Sequence, residues 1–192
     1  MNKIKHIGLL LPSVPNYSET FINNKIQGLS QGSFKVSLFV GGRRNSNKFQ
    51  DNISIYYQVT KNDKIHLIRT LLITIIAHPF RCLHFLLLEI GMGRSFFTGI
   101  KHLILNSHII GKPLNWVHFC FATTGIGREN LAKAMKAKSA VSFRGYDIGL
   151  FAYQHPGCYK LLWKKVDKIH TISDVLYEKA LVLGLNCNTP ME

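Results

Sequence analysis

Arg144-Gly145-Tyr146-Asp147 concentrates more chemistry than any other short stretch of this sequence. It follows an apolar run at 140–143, which places it at the carboxyl end of a strand. An arginine there suits a phosphate or carboxylate, which its planar fork meets with paired hydrogen bonds. Gly145 lets a backbone come close to a ligand. Arg144 and Asp147 could equally form a plain surface ion pair. His118 lies in a second apolar run, 116–122, where a histidine serves either as a satisfied core residue or as a ligand or base. The turn Thr123-Thr124-Gly125-Ile126-Gly127 comes next. Its N–H groups could hold an anion at a helix start, or its glycines could simply allow a tight turn. Ser18, Glu19 and Thr20 stand at an expected helix start, with Ser18 as the hydroxyl cap. Glu19 reads as a first-turn acid favoured by the helix dipole, or as an acceptor for sugar hydroxyls. Ser173 takes the same capping position before a later helix. No CxxC pair and no HxxxH pair with a nearby acid occurs, so no metal site is expected.

Groups of this kind need strands whose ends share an edge. Apolar runs predict strands at 4–11, 34–40, 53–59, 116–122, 140–143 and 166–172. Helices are expected from Ser18 to Leu29, over 130–138, and over 175–183 before Gly184, with a short helical turn at 159–163. The order is βαββ, a helical insert, then βαβ(α)βα. That alternation implies an α/β fold: a Rossmann-like, open and mainly parallel sheet with helices on both faces. Ligands of such sheets sit at the carboxyl ends of the strands, where both polar clusters fall. The order of the strands in the sheet is not readable at this level.

The insert at about 64–111 differs in character. Ile65, Ile68, Leu72 and Ile76 share one helical face, Pro79 breaks the segment, and Leu and Phe side chains resume after it. Arg69, Pro79, Arg81 and Glu89 interrupt every window of about 20 residues, so no spanning helix is expected. Two readings stay open: helices packed on a sheet, or an interfacial surface where basic side chains meet anionic lipid while Leu and Phe insert. The whole chain carries 24 Lys+Arg against 10 Asp+Glu, a net charge of +14, which favours anionic partners without choosing among them. At 192 residues and 46% hydrophobic, it is long enough for one sizeable domain with a real core. The apolar stretch 7–11 is too short for a signal peptide, and four widely spaced cysteines suit a reducing compartment. No zinc finger or RNA-recognition signature supports nucleic acid as the partner.

Four segments together resemble the bacterial glycosyltransferases of family 4. Ser18-Glu19-Thr20-Phe21-Ile22, after a proline-bearing first loop, resembles the SETF-type start of that family. His118-Phe119 resembles its HF segment, and Ser142-Phe143-Arg144-Gly145-Tyr146-Asp147-Ile148 resembles its FHGYD strand and loop. Ile169-His170-Thr171-Ile172-Ser173-Asp174, with Leu183-Gly184 further on, resembles the segment that ends the family's first domain. The closest likeness is to enzymes of the colanic acid and amylovoran type. The resemblance implies the N-terminal half of a GT-B fold: an acceptor-binding domain over 1–185, the start of a linker at 186–192, and a donor-binding domain outside this sequence. It implies a retaining hexosyltransferase in exopolysaccharide synthesis, with a nucleotide-sugar donor, a lipid-linked saccharide acceptor and no bound cofactor. Ser18, Glu19, Thr20, His118, Arg144, Gly145, Tyr146, Asp147 and Ser173 would line the substrate cleft, with His118 and Asp147 as the catalytic candidates. Arg144 stands where the family commonly has histidine; being always protonated, it can position an acceptor but cannot act as a base. The protein would work in the cytoplasm at the anionic inner face of the membrane, inactive without its donor domain. The alternative is a non-catalytic basic module binding a membrane or nucleic acid.

Overall fold

The computed structural model describes residues 4–16, 19–41, 53–58 and 64–191. Six strands form one parallel sheet: β1 (His6–Leu11), β2 (Lys35–Val40), β3 (Ser54–Tyr57), β4 (Trp116–Phe119), β5 (Lys138–Ser142) and β6 (Lys168–His170). Their spatial order is β3-β2-β1-β4-β5-β6. The chain winds outward from β1 to β3, then returns to β1 and winds the other way, so the switch point lies between β1 and β4. Burial on both faces explains why β1 reads as an apolar run rather than an alternating one.

Helix α1 (Thr20–Gln31) covers one face over β1 and β2, where Ile22 and Ile26 meet Leu9, Leu11, Val36 and Leu38. The opposite face carries the larger core. There α2 (Lys64–Ala77), α3 (Pro79–Ile90) and α4 (Phe96–Ile110) form the insert, followed by α5 (Leu131–Ala134), α6 (Ala152–Gln154), α7 (Lys160–Lys165) and α8 (Asp174–Val182). Leu10, Phe39, Val117, Phe119, Val141 and Ile169 from the sheet pack against Phe85, Leu103, Ile109, Trp163 and Ala180 from these helices.

A buried polar knot fixes the insert. Glu89 is 0% exposed, and Arg94 (2.8 Å), Asn130 (2.8 Å) and His102 all donate to its carboxylate. Arg94 also forks onto Glu129 at 3.0 and 3.2 Å. Burial opposes ionisation of Glu89, but the donors from His102, Asn130 and Arg94 outweigh it and hold its pKa below the usual carboxylate value.

Several elements are shorter than their patterns predict. The helix expected over 130–138 closes after one turn because Lys136 takes φ +58, a left-handed conformation that ends a helix. The strands expected at 116–122 and 166–172 pair only over Trp116–Phe119 and Lys168–His170. Helix α1 begins at Thr20 with Glu19 as its cap residue, so Glu19 precedes the first turn instead of lying in it. Ser18 lies outside the described residues.

Candidate functional site

Three loops meet at the carboxyl edge of β1, β4, β5 and β6. The start of α1 brings Phe21, the end of β4 brings Phe121, and the loop after β5 brings Arg144. The Arg144 guanidinium lies 4.0 Å from the Phe21 ring centre and 5.3 Å from that of Phe121. Both rings offer the guanidinium an electron-rich face. Its Nη2 is buried and has no hydrogen-bond partner among the described residues. Arg144 is thus a positioned cation with donor capacity to spare. Gly145 beside it is open, with nothing within 4 Å of where a side chain would begin, and Tyr146 is 59% exposed.

Asp147 sits in the same loop but does not pair with the Arg144 side chain. It is 0% exposed. Its Oδ1 accepts from the Thr123 backbone N–H (3.2 Å) and hydroxyl (3.3 Å), and its Oδ2 from the Arg144 N–H (3.1 Å). The carboxylate therefore ties the loop after β5 to the turn after β4 and sets the backbone that carries Arg144. Burial raises its pKa, with those three donors pulling the other way.

The Gly125-Ile126-Gly127 segment is a turn and does not open a helix. Ala122–Gly125 forms one 3-10 turn, and α5 starts only at Leu131. Gly127 has φ +74, a conformation that favours glycine, and the Ile126 and Arg128 N–H groups are spent on Thr123 O and Gly125 O. Those two N–H groups are therefore spent within the turn, in keeping with the tight-turn reading of these glycines.

His118 is drawn into a network on the α1 face of the sheet. The Ser142 hydroxyl lies 2.8 Å from its Nε2, and Lys25 Nζ lies 3.1 Å from the same nitrogen. Lys25 also donates to Ser142 Oγ at 3.1 Å, and His170 Nδ1 stands 3.4 Å from that oxygen. Burial, then the Lys25 charge and His170, push the His118 pKa well below its usual value. A neutral imidazole accepting at Nε2 completes the set of bonds. That nitrogen faces protein donors, so His118 acts here as the hub that orients Lys25 and Ser142. A cavity of about 280 Å³ adjoins it, with Lys5, Lys25, Lys168 and His170 in its wall.

The remaining candidates take up local structure. Asn16 N–H donates to Glu19 Oε2 at 2.7 Å, which pins the loop before α1. Thr20 is exposed at the helix start. Ser173 caps α8, accepting from the Leu176 N–H at 3.4 Å. Lys25 and Ser142 were missed as members of the His118 network. Their signal was weak, since Lys25 reads as an ordinary helix cation and Ser142 as a strand residue. Among the described residues no group of three or more His, Cys, Asp or Glu side chains is arranged to hold a metal ion.

Together, the fold and this edge define a Rossmann-like α/β domain with a polar, cationic edge at the carboxyl ends of its strands. The same fold occurs in solved glycosyltransferase structures. The lipopolysaccharide outer core galactosyltransferase WaaB, in its apo form, matches 97% of this chain with a TM-score of 0.54 at 13% identity. This chain spans 44% of that structure's length. The sucrose-phosphate synthase of Thermosynechococcus elongatus matches 98% of this chain and 87% of its own, with a TM-score of 0.50 at 9% identity. No protein-family model and no curated protein sequence matches the chain.

Proposed function

We propose that this chain is the acceptor-binding half of a GT-B glycosyltransferase of the family 4 type. The observation that carries the reading is the Arg144 edge: a half-buried guanidinium held against Phe21 and Phe121, with Nη2 unpartnered among the described residues, beside open Gly145 and exposed Tyr146. The likeness in fold to glycosyltransferases supports it. The acceptor is a saccharide on a polyprenyl diphosphate, as in exopolysaccharide synthesis, and a second domain brings the nucleotide sugar. Arg144 holds the acceptor and balances its negative charge, which lowers the barrier by orientation and electrostatics. In a retaining, front-side reaction the acceptor's proton passes to the donor phosphate, so this half need supply no base.

Membrane docking belongs to the same reading. Exposed apolar side chains run along α2 and α3, from Ile65 (83% exposed) through Leu72 and Ile76 to Phe80 (86%), Leu83 and Leu87. Glu89, buried and paired, is the only carboxylate between Lys64 and Ile110. Among the described residues no single helix is long and apolar enough to cross a membrane; α2 and α3 pass such a test only together, bent by 106°. A bent apolar pair flanked by cations suits insertion into one leaflet of an anionic bilayer.

The test is transfer of radiolabelled sugar to a membrane lipid fraction, by this chain alone and by a form joined to its donor-binding domain. Transfer is expected only from the joined form, and Arg144→Ala is expected to reduce it on the order of 100-fold. Absence of transfer from both forms, across the common nucleotide sugars, would leave a basic binding module as the better account.

A further inference from the structure

At the switch point, a cavity of about 320 Å³ opens between the carboxyl ends of β1 and β2 and the turn after β4. Pro12, Gly41, Thr124, His108, Gln58 and Arg128 stand in its wall. Arg128 donates from Nη1 to Thr124 O (3.1 Å) and from Nη2 to Gln58 Oε1 (3.2 Å). Its Nε is buried and has no partner among the described residues. No carboxylate among them forms an ion pair with it. The neighbouring Glu129 is committed to Arg94 through both oxygens. Burial lowers the Arg128 pKa to about 10, with Glu129 opposing, so the group stays charged at neutral pH. A partly desolvated cation without a counter-charge costs stability, and such groups are normally paired.

His108 adds no counter-charge. Burial, then the Arg128 charge, pushes its pKa down to about 3, against a backbone hydrogen bond at Leu105, so it stands there neutral. Gly41 keeps the space open: a Cβ at this position would lie 3.1 Å from Pro12 O and 3.8 Å from Gln58 Oε1. Leu10, Phe39 and Ile109 supply an apolar wall. The volume falls at the lower end of small-molecule sites, and a cavity with an apolar wall and few convergent polar groups is the usual form of one.

We propose that this cavity binds an oxyanion-bearing sugar, a phosphate monoester or a uronate, with the anion on Arg128 and the sugar against Gln58 and the space left by Gly41. The site is separate from the Arg144 edge and does not depend on the glycosyl-transfer reading. Calorimetric titration of the whole chain with glucose 6-phosphate, glucuronate, inorganic phosphate and glucose tests it. At least one of the two charged sugars is expected to bind tenfold or more tightly than glucose. Preference between them identifies the anion, and tighter binding of inorganic phosphate than of either sugar would contradict the sugar assignment.

Two variants separate the site from general basicity. Arg128→Met is expected to abolish the preference for the charged sugar. Gln58→Glu places a carboxylate against the guanidinium. It is expected to raise the thermal midpoint and to weaken the charged sugar at least tenfold, a pairing of effects that a merely structural arginine would not give. Charged-sugar affinity unchanged in Gln58→Glu, or no charged sugar bound by the folded wild type, would overturn the proposal.

Discussion

Arg144 and Asp147 adjoin in sequence and look like one functional pair, yet burial separates their roles. Arg144 keeps an unspent donor at the edge, while Asp147 is consumed by backbone N–H groups. Glu89 gives the sharpest prediction at this scale. Glu89→Ala would leave Arg94, His102 and Asn130 without their common acceptor, and removing one partner of a buried ionic cluster costs about 3–5 kcal/mol. Its pH dependence follows from a folded pKa below the unfolded one. The Glu89 contribution is present above the unfolded value, about 4.3, and is lost as pH falls through the lower folded value. Urea denaturation of wild type and Glu89→Gln from pH 3 to 7 should therefore give a stability gap that narrows below about pH 4. His118 offers a second check. Its ring protons should not titrate between pH 5 and 8 by NMR, because burial and Lys25 hold it neutral; a midpoint near 6.5 would contradict the network. The sequence could name His118 and place it on a strand. Whether its Nε2 faced a substrate or Lys25 and Ser142 depended on packing across 93 residues of chain, which no local pattern encodes.

At the scale of elements, types were more legible than lengths. The six strands follow from their apolar runs, and Ser173 caps α8 as its hydroxyl and the following acid suggest. The turn at Gly127 also follows from its residues. The closure of α5 at Lys136 did not, since tertiary context forces a lysine into a conformation it disfavours. The order of the strands was invisible because each central strand has an apolar run that could pair with several others. The insert kept two readings: α4 buries Leu103 and Ile109, as helices packed on a sheet do, and α2 and α3 leave large apolar side chains outside, which the proposed docking uses. Substituting Leu72 and Phe80 together by Asp should leave the circular dichroism spectrum unchanged, since both side chains are exposed. It should weaken sedimentation with anionic liposomes by at least tenfold. Burying one such side chain contributes about 1.5–3 kcal/mol, and 1.4 kcal/mol is a factor of ten. Undiminished sedimentation would remove these helices from the docking surface.

For the whole molecule, the charge of +14 becomes intelligible as a distribution. The insert carries its one carboxylate inside, the sheet edge carries Arg144, and the switch-point cavity carries Arg128, with which no carboxylate among the described residues pairs. Each arrangement favours an anionic partner, which is what the proposed function requires of this domain. The account stands or falls on acceptor recognition by this chain. Equilibrium binding to a polyprenyl diphosphate-linked saccharide in nanodiscs, against nucleotide sugars in solution, measures it directly. The prediction is saturable binding of the lipid-linked saccharide in the absence of any nucleotide sugar, weakened at least tenfold in Arg144→Ala. Binding of a nucleotide sugar with none of the lipid-linked saccharide would contradict the assignment of this chain to the acceptor side.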